Sequence, residues 1–206
     1  MLYSIAYVLV AIISRIYFRL HITGRENIPK EGGVIIASNH LSYLDIPLLG
    51  YSIGRRADYM GKRELFNIPI ISYLLRTLGG FPIDRDKLDR AALKDAVKRL
   101  KSGRVIVVYP EGTRSRDSIL QPGKPGVGII VKMSGAKVVP AAIQGTDRAM
   151  PIGAWLIRPA KVTVKFGKPL DFNNLAKSGN EKEGVEMITK TIMENISTLL
   201  AFEVVP

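Results

Sequence analysis

The stretch IIASNHLSYLD, residues 35 to 45, sets His40 at the end of an apolar run and Asp45 five positions later. A histidine that donates one ring N–H to a carboxylate can take a proton from a hydroxyl with its other nitrogen. Five positions exceed the three or four that align two side chains on a helix face, so His40 reads as a loop residue and Asp45 as part of the next helix's first turn. Spacing alone leaves two roles open. The pair is a base with its orienting acid, or a strand end beside a helix capped by Asn39, Ser42 or Asp45.

A second group stands in YPEGTRS, residues 109 to 115. Pro110 and Gly112 favour a tight exit from the preceding strand, Glu111 can brace a cation or a backbone turn, and Arg114 offers a fork to phosphate. A solvated turn fits the same letters. Arg85 in GGFPIDR, Lys62 in KRELF and Lys124 in PGKPG add cations, each of which also fits a solvated basic face. GYSIG, residues 50 to 54, matches G-x-S-x-G in letters only: Ser52 follows a helical pattern, and both histidines precede it. There is no P-loop and no complete G-x-G-x-x-G.

Positioning these residues falls to an alternation of apolar runs and amphipathic segments. VIIAS, ADYMGK, GFPIDR, RVIVVYP, AKVVPAAI and KVTVKFG read as strands, with a shorter one at His21. His21 has no acidic partner nearby and reads as structural. DIPLLGYSI, the Pro69-interrupted RELFNIPIISYLLRTLG, the stripe Leu88, Ala92, Leu93, Ala96, Val97 and Leu100, and a last segment from Glu181 to Leu200 read as helices. LQPGKPGVG reads as a glycine-rich connection, and QGTDRAMPIGAWLIRPA as a loop around a substrate cleft. The implied class is α/β: a mixed, largely parallel sheet flanked by helices.

The 206 residues suffice for one substantial core. With no cysteine and two histidines, a thiol nucleophile, a disulfide framework and thiolate or H-E-x-x-H zinc sites are excluded, while carboxylate sites for magnesium stay arithmetically open. A net charge of +12 calls for an anionic partner, nucleic acid or phospholipid. The opening MLYSIAYVLVAIISRIYF lacks a basic leader and a cleavage site and falls short of the roughly 20 apolar residues of a comfortable span. It reads as a helix lying shallowly in a membrane surface, with a core helix as the plain alternative. The expected division is a membrane-associated helix over 1–20 and an α/β domain over 21–206.

HLSYLD, GGFPIDR, YPEGTRS and VVPAAI, in this order between Asn39 and Ile143, resemble the four blocks of the glycerolipid acyltransferase family, most closely the bacterial 1-acyl-glycerol-3-phosphate acyltransferases. The resemblance implies His40 as general base and Asp45 as its partner. It also implies an acceptor-phosphate pocket from Arg85, Glu111, Gly112, Thr113 and Arg114, and a donor or oxyanion contact from Lys62 or Lys124. Tyr109 and Gly123 stand where relatives often carry phenylalanine.

The implied reaction is acyl transfer from acyl-CoA or acyl carrier protein to the sn-2 hydroxyl of lysophosphatidic acid, with no cofactor and no metal. The expected location is the cytoplasmic face of the cell membrane, peripheral or monotopic. Rival readings are sn-1 acylation of glycerol 3-phosphate, acylation of another lysolipid, and a basic membrane-associated binding module without catalysis. No nucleic-acid motif accompanies the charge.

Overall fold

A computed structural model describes residues 2–84, 89–176 and 181–201; Arg85 and Leu88 lie outside them. Among the described residues a sheet is built from β1 (His21–Thr23), β2 (Val34–Ser38), β3 (Ala57–Lys62), β4 (Gly80–Ile83), β5 (Val105–Val108), β6 (Lys137–Gln144) and β7 (Thr163–Phe166). Their order is β1-β7-β6-β2-β5-β3-β4. Neighbours are parallel except β6 and β7, which run antiparallel. The expected mixed, largely parallel α/β sheet is what forms.

The central strands β2 and β5 are apolar except at Ser38, because both faces are covered. Val34 and Ile36 of β2 and Val105 and Val107 of β5 face one core, which takes in Phe18, Leu48, Leu49 and Ile53. Ile35, Ala37, Ile106 and Val108 face the other. The first layer comes from α1 (Leu2–Ile16) and α2 (Asp45–Ile53), the second from α4 (Arg90–Lys101), α5 (Gly126–Ser134) and α8 (Glu181–Ala201). The stripes read from sequence are the buried faces: Ala92, Leu93, Ala96, Val97 and Leu100 on α4, and Ile188, Ile192 and Ile196 on α8.

Three segments depart from their sequence reading. The Pro69-interrupted stretch is a 3-10 turn, Arg63–Asn67, followed by α3 (Pro69–Thr77) with the proline in its first turn, where its missing N–H costs nothing. The glycine-rich connection ends as helix, since Gly126 to Gly128 open α5. A Cβ on Gly128 would lie 2.5 Å from the Val185 carbonyl oxygen, so close packing of α5 on α8 selects a residue that helix propensity disfavours. The stretch expected to loop around a cleft opens as α6 (Thr146–Ala149), and its remainder is pinned beside α1: Tyr17 Oη donates to the Ile157 carbonyl at 3.1 Å, and the Val162 amide to that of Phe18 at 3.0 Å.

The first helix packs on the domain by one face. Val10, Ser14 and Phe18 pack inward, while Ile5, Val8, Leu9, Ile12, Ile13 and Ile16 stay exposed. No helix of the described residues is long and apolar enough to cross a membrane. His21 lies on the terminal strand β1, separated from β2 by β7 and β6.

Candidate active site

Adjacent parallel strands deliver their following loops to one edge of a sheet, and β2 and β5 are such a pair. His40 follows β2 by two residues, and Asp45 opens α2. The His40 and Asp45 side chains meet, with Nδ1 2.7 Å from Oδ2. That oxygen also accepts the amides of Leu41 at 2.6 Å and Ser42 at 2.9 Å, while Oδ1 accepts the Thr146 hydroxyl at 2.5 Å. An oxygen already taking two N–H groups is an acceptor toward the ring as well, which puts the imidazole hydrogen on Nδ1 and leaves Nε2 as a base. His40 is 4% exposed and Asp45 0%, so little water competes for these bonds. Asp45 is therefore more than a cap.

The loop after β5 supports the histidine from behind. Glu111 Oε1 accepts the His40 amide and Oε2 the Gln121 amide, each at 2.8 Å, and the Ser115 amide donates to the His40 carbonyl at 2.8 Å. Burial pushes the Glu111 carboxyl up, opposed by those two amide hydrogen bonds and by the nearby imidazole. With both oxygens engaged, Glu111 braces the His40 backbone. Tyr109 stacks on the imidazole with centroids 3.9 Å apart and planes 13° from parallel.

Two cavities meet at His40, Met60, Gly112 and Lys124. One, of about 540 Å³, runs between β5 and α5 past Ile83, Leu93, Val108, Val127 and Ile130. The other, of about 790 Å³, runs toward α1 and α3 past Tyr7, Val10, Tyr59, Leu65 and Leu78. Lys62, Thr113 and Arg114 stand on the second cavity only, and Lys124 on both. Arg114 lies 3.7 Å above the Tyr43 ring, and Lys62 pairs with Glu64 at 3.4 Å on the exposed rim. Gly112 takes a positive φ of 73°, and a Cβ there would lie 2.9 Å from the Lys124 chain, so glycine keeps the junction open. The structure brings together every proposed site residue it describes; Arg85 lies outside the described residues.

Comparison with known proteins gives this geometry its family. Residues 19–144 match the family model described as Acyltransferase. The chain belongs to the acyltransferase family. It is 32% identical over 179 residues to the 1-acyl-sn-glycerol-3-phosphate acyltransferase of Bacillus subtilis (strain 168), covering 85% of each chain. It is 34% identical over 160 residues to the chloroplastic enzyme LPAT1 of Arabidopsis thaliana, covering 75% of this chain and 44% of that one. The solved structure of the 1-acyl-sn-glycerophosphate (LPA) acyltransferase PlsC from Thermotoga maritima superposes with a TM-score of 0.77 at 28% identity, covering 98% of this chain and 81% of that one.

Several residues of this acyltransferase site escaped the sequence reading. Thr146, 101 positions after Asp45, holds the second carboxylate oxygen. Asn39 accepts the Ile143 amide at 2.8 Å and donates to its carbonyl at 2.9 Å, extending the β2 to β6 pairing with a side chain instead of capping α2. Neither has a local signal, since both act across strands. Among the described residues no cluster of three or more His, Cys, Asp or Glu is disposed to hold a metal ion.

The first cavity's wall also carries a pH-sensitive clasp. Asp89, the cap of α4, accepts the amides of Ala92 at 3.0 Å and Asp84 at 2.9 Å and pairs with Arg63. These bonds, the amides first, hold its carboxyl at about 2, below the ordinary 3.8. A depressed folded-state value stabilises the fold above the unfolded-state pKa, and the benefit is lost as pH falls through the folded one. Asp89→Asn is expected to be less stable than the parent above pH 4, the gap closing toward pH 2. Urea midpoints across that window check it; a gap independent of pH contradicts it.

Proposed function

We propose that this acyltransferase moves a fatty acyl group from a thioester of coenzyme A or acyl carrier protein to the sn-2 hydroxyl of 1-acyl-glycerol 3-phosphate, forming phosphatidic acid. The supporting observation is a buried imidazole, oriented by Asp45, at the junction of two cavities walled largely by apolar side chains. A reaction between two fatty substrates has use for two such channels, since each buried methylene contributes about 0.8 kcal/mol.

In this mechanism His40 Nε2 takes the hydroxyl proton as the oxygen bonds to the thioester carbonyl carbon. Collapse of the tetrahedral intermediate breaks the carbon–sulfur bond, and the imidazolium returns its proton to the departing sulfur. Lys124, on both cavities, and Lys62 are the candidates to contact the donor or the oxyanion. Arg114, with Thr113, the Gly112 backbone and Arg85, receives the acceptor phosphate and aligns the hydroxyl. Glu111 shapes this pocket through the His40 backbone.

Residues 1–20 serve as a membrane-associated helix and 21–206 as the catalytic domain, held at the cytoplasmic face as a peripheral or monotopic protein. The exposed apolar face of α1, and its freedom from Asp and Glu, support this.

Product identification with both thioester donors, each against lysophosphatidic acid, glycerol 3-phosphate or no acceptor, tests the reading. Phosphatidic acid is the expected product, and acceptor-independent hydrolysis overturns it. Arg114→Ala is expected to raise the acceptor KM about 10- to 100-fold, the loss of a charged hydrogen bond, with the donor KM unchanged. Unaltered acceptor kinetics would remove Arg114 from the pocket.

A further inference from the structure

Trp155, the chain's only tryptophan, is 85% exposed, and Leu156 and Ile157 beside it are 58% and 44% exposed. Three consecutive large apolar side chains facing water are costly unless something covers them. They sit on a built loop: the Arg158 amide donates to the Ala149 carbonyl at 2.8 Å, and the Ala154 amide to that of Pro151 at 3.0 Å. Its outer end is tied to α1 through Tyr17 and Ile157. Its root is tied to the active site, because Ser42 Oγ donates to the Met150 carbonyl at 2.8 Å and Thr146, in the adjoining α6, holds Asp45.

We propose that the loop from Pro151 to Arg158 is a second bilayer contact, seating Trp155, Leu156 and Ile157 at the headgroup–acyl boundary of an anionic phospholipid membrane. The inference rests on the membrane reading of α1 and extends it to a separate element.

Charge selects the occupant. Residues 1–25 and 148–170 contain no aspartate or glutamate, while Arg15, Arg19, Arg148, Arg158 and Lys161 fall within these two stretches. Exposed apolar residues carried on basic stretches without acids are the pattern of an interfacial element on anionic lipid, with tryptophan's amphipathic ring at headgroup depth. Continuity adds to this. The exposed residues of α1 reach the loop through Tyr17, and the larger cavity is walled by Tyr3, Tyr7 and Val10 of that same helix. A bilayer covering both elements would lie beside the cavity that the proposed function gives to a fatty chain.

The native chain carries its own reporter, since all tryptophan emission comes from Trp155. Full-length protein is mixed with phosphatidylcholine vesicles containing phosphatidylglycerol, with and without brominated acyl chains, while co-sedimentation is measured in parallel. Binding with a blue-shifted emission, quenched more by bromines near the headgroup than by those near the chain end, is the expected result. Binding with unshifted, unquenched emission overturns the loop contact while the α1 reading stands. Absence of binding removes both. An emission shift that depends on protein concentration without vesicles assigns the loop to a second copy of the chain and overturns the proposal. The variant Leu156→Asp with Ile157→Asp retains Trp155 as reporter and is expected to lose the quenching; full quenching in it counts against insertion.

Discussion

Replacing His40 with alanine is expected to leave a folded protein whose turnover has fallen about 10²- to 10⁴-fold, the range for general-base assistance and equivalent to roughly 3 to 5 kcal/mol of barrier. The fold survives because Asp45 keeps the Leu41 and Ser42 amides and the Thr146 hydroxyl, and Glu111 keeps the backbone amide of residue 40. What disappears is the only imidazole near the junction of the cavities, since β7 and β6 lie between the strand of His21 and β2. Steady-state kinetics with matched thermal melts measures this. Near-parental turnover in a purified, folded variant would mean that another group takes the hydroxyl proton.

Asp45→Asn separates orientation from charge. In many acid–histidine pairs an asparagine turns its NH₂ toward the ring and forces the wrong tautomer. Here the Oδ2 position must accept N–H groups from Leu41 and Ser42, so the amide oxygen is held there and the NH₂ falls opposite Thr146, whose hydroxyl can accept. The variant therefore keeps the His40 tautomer and loses only the negative charge that steadies the imidazolium formed during transfer. A loss of about 10²-fold in kcat, smaller than that of His40→Ala, follows if charge supplies about 3 kcal/mol. Steady-state kcat with unchanged acceptor KM checks it, and a kcat equal to the parent's would reduce Asp45 to an orienting group.

Much of this was legible in the chain. Strands such as VIIAS and VIVV are covered on both faces, so burial leaves unbroken apolar runs, and α4 and α8 show their stripes because one face of each is wet. HLSYLD was legible because His40 and Asp45 bridge a single loop. Glu111 was legible as a candidate, but the turn of its carboxylate was not, because that depends on the amides of His40 and Gln121, brought in from elsewhere. The start of α5 was hidden because Gly128 answers to α8, which lies far along the chain.

By itself the sequence determined the α/β class and the order of the elements, which follow from local periodicity, and it carried the resemblance of HLSYLD, GGFPIDR, YPEGTRS and VVPAAI to a known family, which implied His40 as base and Asp45 as its partner. Tertiary structure alone decided that Thr146 and Asn39 join the site, that Glu111 faces the backbone of His40, that two cavities share one base, and that the loop carrying Trp155 is tied through Ile157 to Tyr17, just past α1. The physical reason is that strand order sets these contacts: β6 lies against β2 although about a hundred residues separate them, and no short-range pattern records which strands become neighbours.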